Sequence, residues 1–228
     1  MQKIRIWDLP TRLFHWLLVA AIAALFVTGK VGGNWIEWHG KIGIFVVGLV
    51  VFRIVWGFLG STYARFWQFF PRPAAIAAYL KGSWHGEGHN PLGALSVFAL
   101  LSLVGIQAVL GLLTTDEISF QGPLFPLISE DLAVRLTGWH HWLANVLLIF
   151  AGLHFASIIF YARVKKNNLL LPMITGWKQV EKGESAKGGG AVALVIALLI
   201  AFAAIWASTG AWIPAPPPAP EAPAGLSF

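Results

Sequence analysis

The sequence predicts an all-α integral membrane protein, a bundle of four transmembrane helices with a fifth at the C-terminus. Three observations carry this reading. Apolar residues make up 57% of the 228 and charged residues only 11%, with a mean hydropathy of +0.70, far from the composition of a soluble domain. Five apolar runs stand out, each about long enough to cross a ~30 Å hydrocarbon core. The runs are continuous rather than alternating, which favours helices over the strands of a barrel. No internal repeat is visible.

The first run lies near 12–29. It follows Asp8 and Pro10 and has no small-residue cleavage site, so it reads as a retained helix rather than a signal peptide. The second, near 39–59, is interrupted only late, by Arg53. The third, near 91–113, opens on Asn90-Pro91, an N-cap followed by proline in the first turn. The fourth, near 138–161, has Thr137 in position to cap it. The fifth lies near 191–212. Residues 1–180 are expected to form one membrane domain, 181–212 a linker with the fifth helix, and 213–228 a Pro-rich extended tail unable to build a core. With the N-terminus in the cytoplasm, only Lys30, Lys41 and Arg135 of the sixteen lysines and arginines fall outside. That satisfies the positive-inside rule and leaves the C-terminus extracytoplasmic. Tryptophans such as Trp35, Trp38, Trp139 and Trp142 lie at run ends, as in an interfacial belt.

Composition also excludes chemistries. The absence of cysteine removes c-type haem attachment, iron–sulfur clusters, thiolate metal sites and disulfides. The net charge of +6 is accounted for by membrane topology, so nucleic acid is not an expected partner; membrane lipid is.

The histidines carry the functional signal. An imidazole within a membrane is costly unless it has a partner or a task. His140 and His154 share the fourth run, fourteen residues apart. That is close to a whole number of helical turns and about 21 Å along the axis. One metal ion cannot bridge them, but two sites at different depths can use them. By topology His15, early in the first helix, lies at the inner level with His154. His39, at the start of the second, lies at the outer level with His140. Each pair joins two helices. Zinc needs four ligands, and no cysteine or carboxylate lies at either level. Haem iron brings four porphyrin nitrogens and needs only two axial ligands. Two bis-histidine b-type haems therefore fit, with His15, His39, His140 and His154 as iron ligands. With both axial positions filled, electron transfer is favoured over oxygen chemistry, and no catalytic residue is expected. A proton-relaying transporter or channel explains buried histidines but not two facing pairs.

Haem propionates need cations near the membrane surface. Lys41 is expected to serve the outer level, and Arg12 and Arg53 the inner. His141 points about 100° away from the His140 face and is expected at the interface, with a polar or propionate contact at most. His85 and His89, in the glycine-flanked loop SWHGEGHNP, are expected in solvent. Gln107 and Asn145 are polar groups in apolar runs and need partners.

The motifs WDLPTRLFHW, WHGKIG, GHNPLGA, HHWLANVLLIFAGLH and NNLLLPMITGWK, in that order over about 6–178, give the chain its resemblance. It resembles the bacterial di-haem cytochrome b561 family, including the b-type cytochrome subunits of nickel–iron hydrogenases. The resemblance implies a four-helix haem-binding bundle in the bacterial inner membrane. It implies two haem b groups, ligated by His15 and His154 and by His39 and His140. It further implies respiratory electron transfer between the quinone pool and an extracytoplasmic partner, a c-type cytochrome or a hydrogenase. The alternative within the family is a stand-alone quinol oxidase reducing oxygen or superoxide. The fifth helix departs from the compact four-helix unit and favours an electron-transfer subunit over a self-sufficient enzyme. A homodimer is compatible with the sequence.

Overall fold

A computed structural model describes residues 1–118 and 120–214; the Pro-rich stretch from 215 onward lies outside the described residues. The chain runs β1 (Gln2–Arg5), α1 (Leu9–Val31), α2 (Trp35–Leu59), α3 (Pro73–Leu80), α4 (Pro91–Leu112), α5 (Glu130–Arg163), α6 (Leu170–Thr175), β2 (Trp177–Val180) and α7 (Ala191–Ser208). Among the described residues, α1, α2, α4, α5 and α7 are long and apolar enough to cross a membrane, which bears out the expected fold class.

Local chemistry sets the helix ends. α1 starts at Leu9 because the Asp8 carboxylate accepts the Thr11 N–H at 2.7 Å, a standard N-cap. It ends where Gly32 and Gly33 take positive φ and turn the chain into α2. Asn90 caps α4 as expected, accepting the Gly93 N–H at 2.7 Å. α5 is 34 residues long, about 51 Å, and begins eight residues before the expected start. Ser129 is its N-cap residue, with Glu130 and Asp131 in the first turn and Arg163 in the last, as the helix dipole favours. Thr137 is therefore not a cap. It lies inside α5, where its hydroxyl accepts the Thr115 N–H at 3.1 Å and so pins the α4–α5 connection.

α2 is the central helix, packed against α1, α4 and α7; α5 packs extensively against α4 alone. Two apolar layers fill the bundle. One combines Phe14, Leu49, Phe52 and Trp56 with Ala197 and Ala201 of α7. The other combines Ala21, Val46, Val50, Val104 and Leu147. α7 approaches α2 closely because Gly48 leaves room for the Ile205 side chain. The fifth helix is thus an integral part of the body. Leu153 and Phe202, each 62% exposed, typify the outward faces of α5 and α7; such surfaces suit lipid.

At one end of the bundle lies a small cap that the hydropathy pattern does not announce. β1 and β2 pair antiparallel, with Ile4 opposite Lys178, and bury Ile4, Ile6, Trp7 and Val180. The segment expected as a linker is strapped onto this cap. The Ala186 N–H donates to the Arg5 carbonyl at 2.7 Å and the Thr62 N–H to the Lys187 carbonyl at 2.9 Å; the Tyr63 hydroxyl donates to the Glu184 carbonyl at 2.7 Å. Trp56 joins cap and bundle. It is 1% exposed, and its indole N–H donates to the Asp8 carboxylate at 3.0 Å. Trp56→Ala removes both the packing and that bond, and should cost roughly 3–5 kcal/mol, read as a lowered unfolding midpoint in detergent.

Candidate cofactor site

His39, in the first turns of α2, and His140 on α5 face each other with ring centres 6.0 Å apart and planes at 78°. Each ring is tied back through one nitrogen. His39 Nδ1 lies 3.0 Å from the Leu25 carbonyl, and His140 Nδ1 lies 3.2 Å from the Gln107 carbonyl. A carbonyl only accepts, so Nδ1 carries the proton on both rings and Nε2 keeps its lone pair for a ligand. Gln107 returns the contact, its amide donating to the His140 carbonyl at 3.0 Å. Two glycines make space for the rings. A Cβ at Gly29 would meet the His39 imidazole at 3.1 Å, and one at Gly111 would meet His140 Cε1 at 3.1 Å.

The second pair stands fourteen residues further along α5. His15 on α1 and His154 on α5 are close enough to interact electrostatically. His15 Nδ1 is buried without a hydrogen-bond partner, and its ring meets Trp16 edge-on. His154 Nδ1 lies 3.4 Å from the Ser96 hydroxyl. Leu147, midway between His140 and His154, belongs to the apolar layer that separates the two levels.

Around the His15–His154 level the structure gathers cationic and N–H groups. Arg53 is 3% exposed. Its guanidinium lies 4.6 Å above the Phe66 ring, and its Nη1 is buried without a partner, so it does not reach out to the membrane surface. Arg12 donates from Nη1 to the Ile174 carbonyl at 2.5 Å, while its Nε is buried and unpartnered. His89 corrects the sequence reading. It is not in solvent but caged by Trp7 and Phe69, with ring centres 4.6 and 4.4 Å away. Its Nδ1 is buried and unpartnered. Burial pushes the His89 imidazole down to about 3, reinforced by the charge of Arg53 and by His154 and His15, so the ring is neutral at physiological pH.

The remaining candidates are exposed. Lys41 points outward from α2, with its side chain 64% exposed and 3.6 Å from Glu37, and rests over Trp38. His141 and His85 are exposed. Asn145 is also exposed, donating to the His141 carbonyl at 3.1 Å.

The donor set decides what such a site can hold. No cluster of three or more His, Cys, Asp or Glu side chains able to bind a metal ion is found among the described residues. Each level offers a pair of imidazoles, which suits a metal that brings its own equatorial ligands. Two imidazoles sharing one haem iron through Nε2 put their ring centres roughly 6 Å apart, from two metal–nitrogen bonds of about 2 Å and the half-widths of the rings. The His39–His140 spacing fits that requirement.

The chain is similar to known proteins. The family model described as prokaryotic cytochrome b561 matches residues 6–176. A probable Ni/Fe-hydrogenase B-type cytochrome subunit of Azotobacter vinelandii is 25% identical over 215 residues, covering 77% of this chain and 88% of the relative. One from Bradyrhizobium diazoefficiens is 25% identical over 218 residues, covering 77% and 86%. The probable Ni/Fe-hydrogenase 1 B-type cytochrome subunit of Escherichia coli K12 is 26% identical over 143 residues, covering 49% and 60%. No solved structure matches.

Proposed function

This chain belongs to the prokaryotic cytochrome b561 family, and on that premise we propose that it carries electrons between the quinone pool and an extracytoplasmic redox partner through two bis-histidine haem b groups. Membership makes it a multi-pass bacterial membrane cytochrome of b type, a carrier of haem b and of electrons. The finer reading rests on one observation: α5 contributes a histidine at each of two depths, His140 facing His39 of α2 and His154 lying near enough to His15 of α1 to interact electrostatically.

Haem b, when bound, supplies a one-electron iron couple at each level. His39 and His140 hold the outer group, and His15 and His154 the inner. The Leu25 and Gln107 carbonyls fix the outer imidazoles in the tautomer that presents Nε2, and they raise its basicity. With two imidazoles held at each level, a bound haem would have no open position for oxygen. The Leu147 layer keeps water out of the space between the levels. Arg53 and Arg12 each keep a buried nitrogen without a hydrogen-bond partner, and propionates at the inner level would supply the acceptors. The distribution of lysine and arginine supports a cytoplasmic N-terminus and an extracytoplasmic end of α7.

The relatives are named as hydrogenase cytochrome subunits, which favours a nickel–iron hydrogenase as the partner over a c-type cytochrome. Membranes containing this chain and its hydrogenase should show a b-type α-band that is reduced by hydrogen and reoxidised by added quinone. Quinol oxidation with oxygen consumption by the isolated chain would instead establish the stand-alone oxidase.

A further inference from the structure

Arg53 follows His39 on α2 by the same fourteen residues that separate His154 from His140 on α5. It therefore lies at the depth of the second histidine pair, on the face that carries His39. Its surroundings do not neutralise it. Among the described residues no carboxylate forms an ion pair with it; the ion pairs present join Lys41 to Glu37, Lys178 to Glu87 and Lys187 to Glu184. Asp8 is the nearby acid acting on it, but that carboxylate already accepts from the Thr11 N–H and the Trp56 indole. The Phe66 face attracts the guanidinium without offering a hydrogen-bond acceptor. A buried cation with an unmet N–H is among the costlier arrangements a fold can hold.

It is not alone. His89 Nδ1 and Arg12 Nε are also buried without partners, and His89 interacts electrostatically with Arg53, His154 and His15. All three nitrogens can donate, so one negatively charged oxygen group would answer them together. The other level is built differently. Its buried unpartnered atom is Gln107 Oε1, an acceptor, and Lys41 is exposed and engaged by Glu37.

Resting on the di-haem reading, we propose that Arg53 and His89 clamp the propionate carboxylates at the His15–His154 level and make it the higher-potential of the two. Reduction adds one negative charge to the iron centre. A fixed positive charge nearby, poorly screened because it is buried, favours the reduced form. Among the described residues, no buried cation lies at the His39–His140 level, where Lys41 is exposed. With both groups bound, an electron passed between the levels would oxidise one iron as it reduced the other, with no bond or proton moving. The chain's own charges thus bias flow from the His39–His140 level toward the His15–His154 level.

The test is an absorbance-monitored redox titration of the purified full-length holoprotein and of Arg53→Gln, Arg53→Lys and His89→Phe. The expected wild-type titration has two steps, with the higher one missing in His154→Ala. Arg53→Gln should lower the higher midpoint and leave the other in place, or lose that haem alone. Arg53→Lys, which keeps the charge, should hold the midpoint closer to wild type. His89→Phe should give a smaller fall in the same step. A two-haem protein whose midpoints are indifferent to Arg53→Gln overturns the proposal while leaving the di-haem reading intact. So does assignment of the lower midpoint to the His15–His154 level. A chain with one haem or none overturns both.

Discussion

His154→Ala should yield a folded protein that has lost one haem and kept the other, with the reduced-minus-oxidised α-band falling to about half. The expectation follows from how the donors are distributed. In the proposed arrangement the His15–His154 level gives the iron two imidazoles, and among the described residues no group of three or more His, Cys, Asp or Glu able to hold a metal is found, so alanine would leave the iron with a single protein ligand. The His39–His140 level draws on none of the same side chains. It is held through Leu25 and Gln107 and separated by the layer containing Leu147. Effects at such separated sites tend to be independent. His154 also lies on the part of α5 whose outward neighbours Leu153 and Phe155 are exposed, so shortening it opens no sealed core. Loss of both haems from a protein that retains its helical circular dichroism would contradict the two-level arrangement.

Gly111→Leu should have the complementary effect, stripping the His39–His140 level while the other keeps its haem. Gly111 matters because its missing side chain is the space that His140 uses: a Cβ there would stand 3.1 Å from the ring, tighter than ordinary contact. A leucine adds three further carbons and must displace an imidazole already fixed by the Gln107 carbonyl at 3.2 Å. Overpacking of this kind typically costs about 1–3 kcal/mol, and here the cost falls on ligand geometry. Gly29→Leu should act likewise on His39 from α1. Gly111→Ala, with only the Cβ, should weaken retention without abolishing it. Haem content per chain, together with the midpoint of the haem that remains, reads all three variants.

Much of this was legible in the sequence because lipid leaves so few options. Five continuous apolar runs give five helices, and Asn90-Pro91 marked the start of α4. The starts of α1 and α5 were misjudged for the same reason. The polar openings, Leu9 to Arg12 and Glu130 to Gly138, lie outside the apolar pattern; capping by Asp8 sets the first, and acidic residues Glu130 and Asp131 in the first turn favour the second. β1 and β2 were not foreseen, since each is four residues long and its partner lies across nearly the whole chain. Gly86 and Gly88 suggest an open turn around His89, which the structure does not form. The cage that closes on it comes from Trp7 and Phe69, distant in sequence. Arg53, expected at the inner level, repeats on α2 the fourteen-residue interval of the α5 histidines, which sets it in register with the second pair. Gly29, pressed against His39, carried no such mark.

The most direct measurement is the ratio of extractable haem b to protein in the purified full-length chain. Imidazoles from α1 and α2, each meeting one from α5 at its own depth, require two haems for every polypeptide, both with low-spin bis-histidine spectra. A ratio of one, or a colourless protein that is nonetheless folded, would contradict that arrangement.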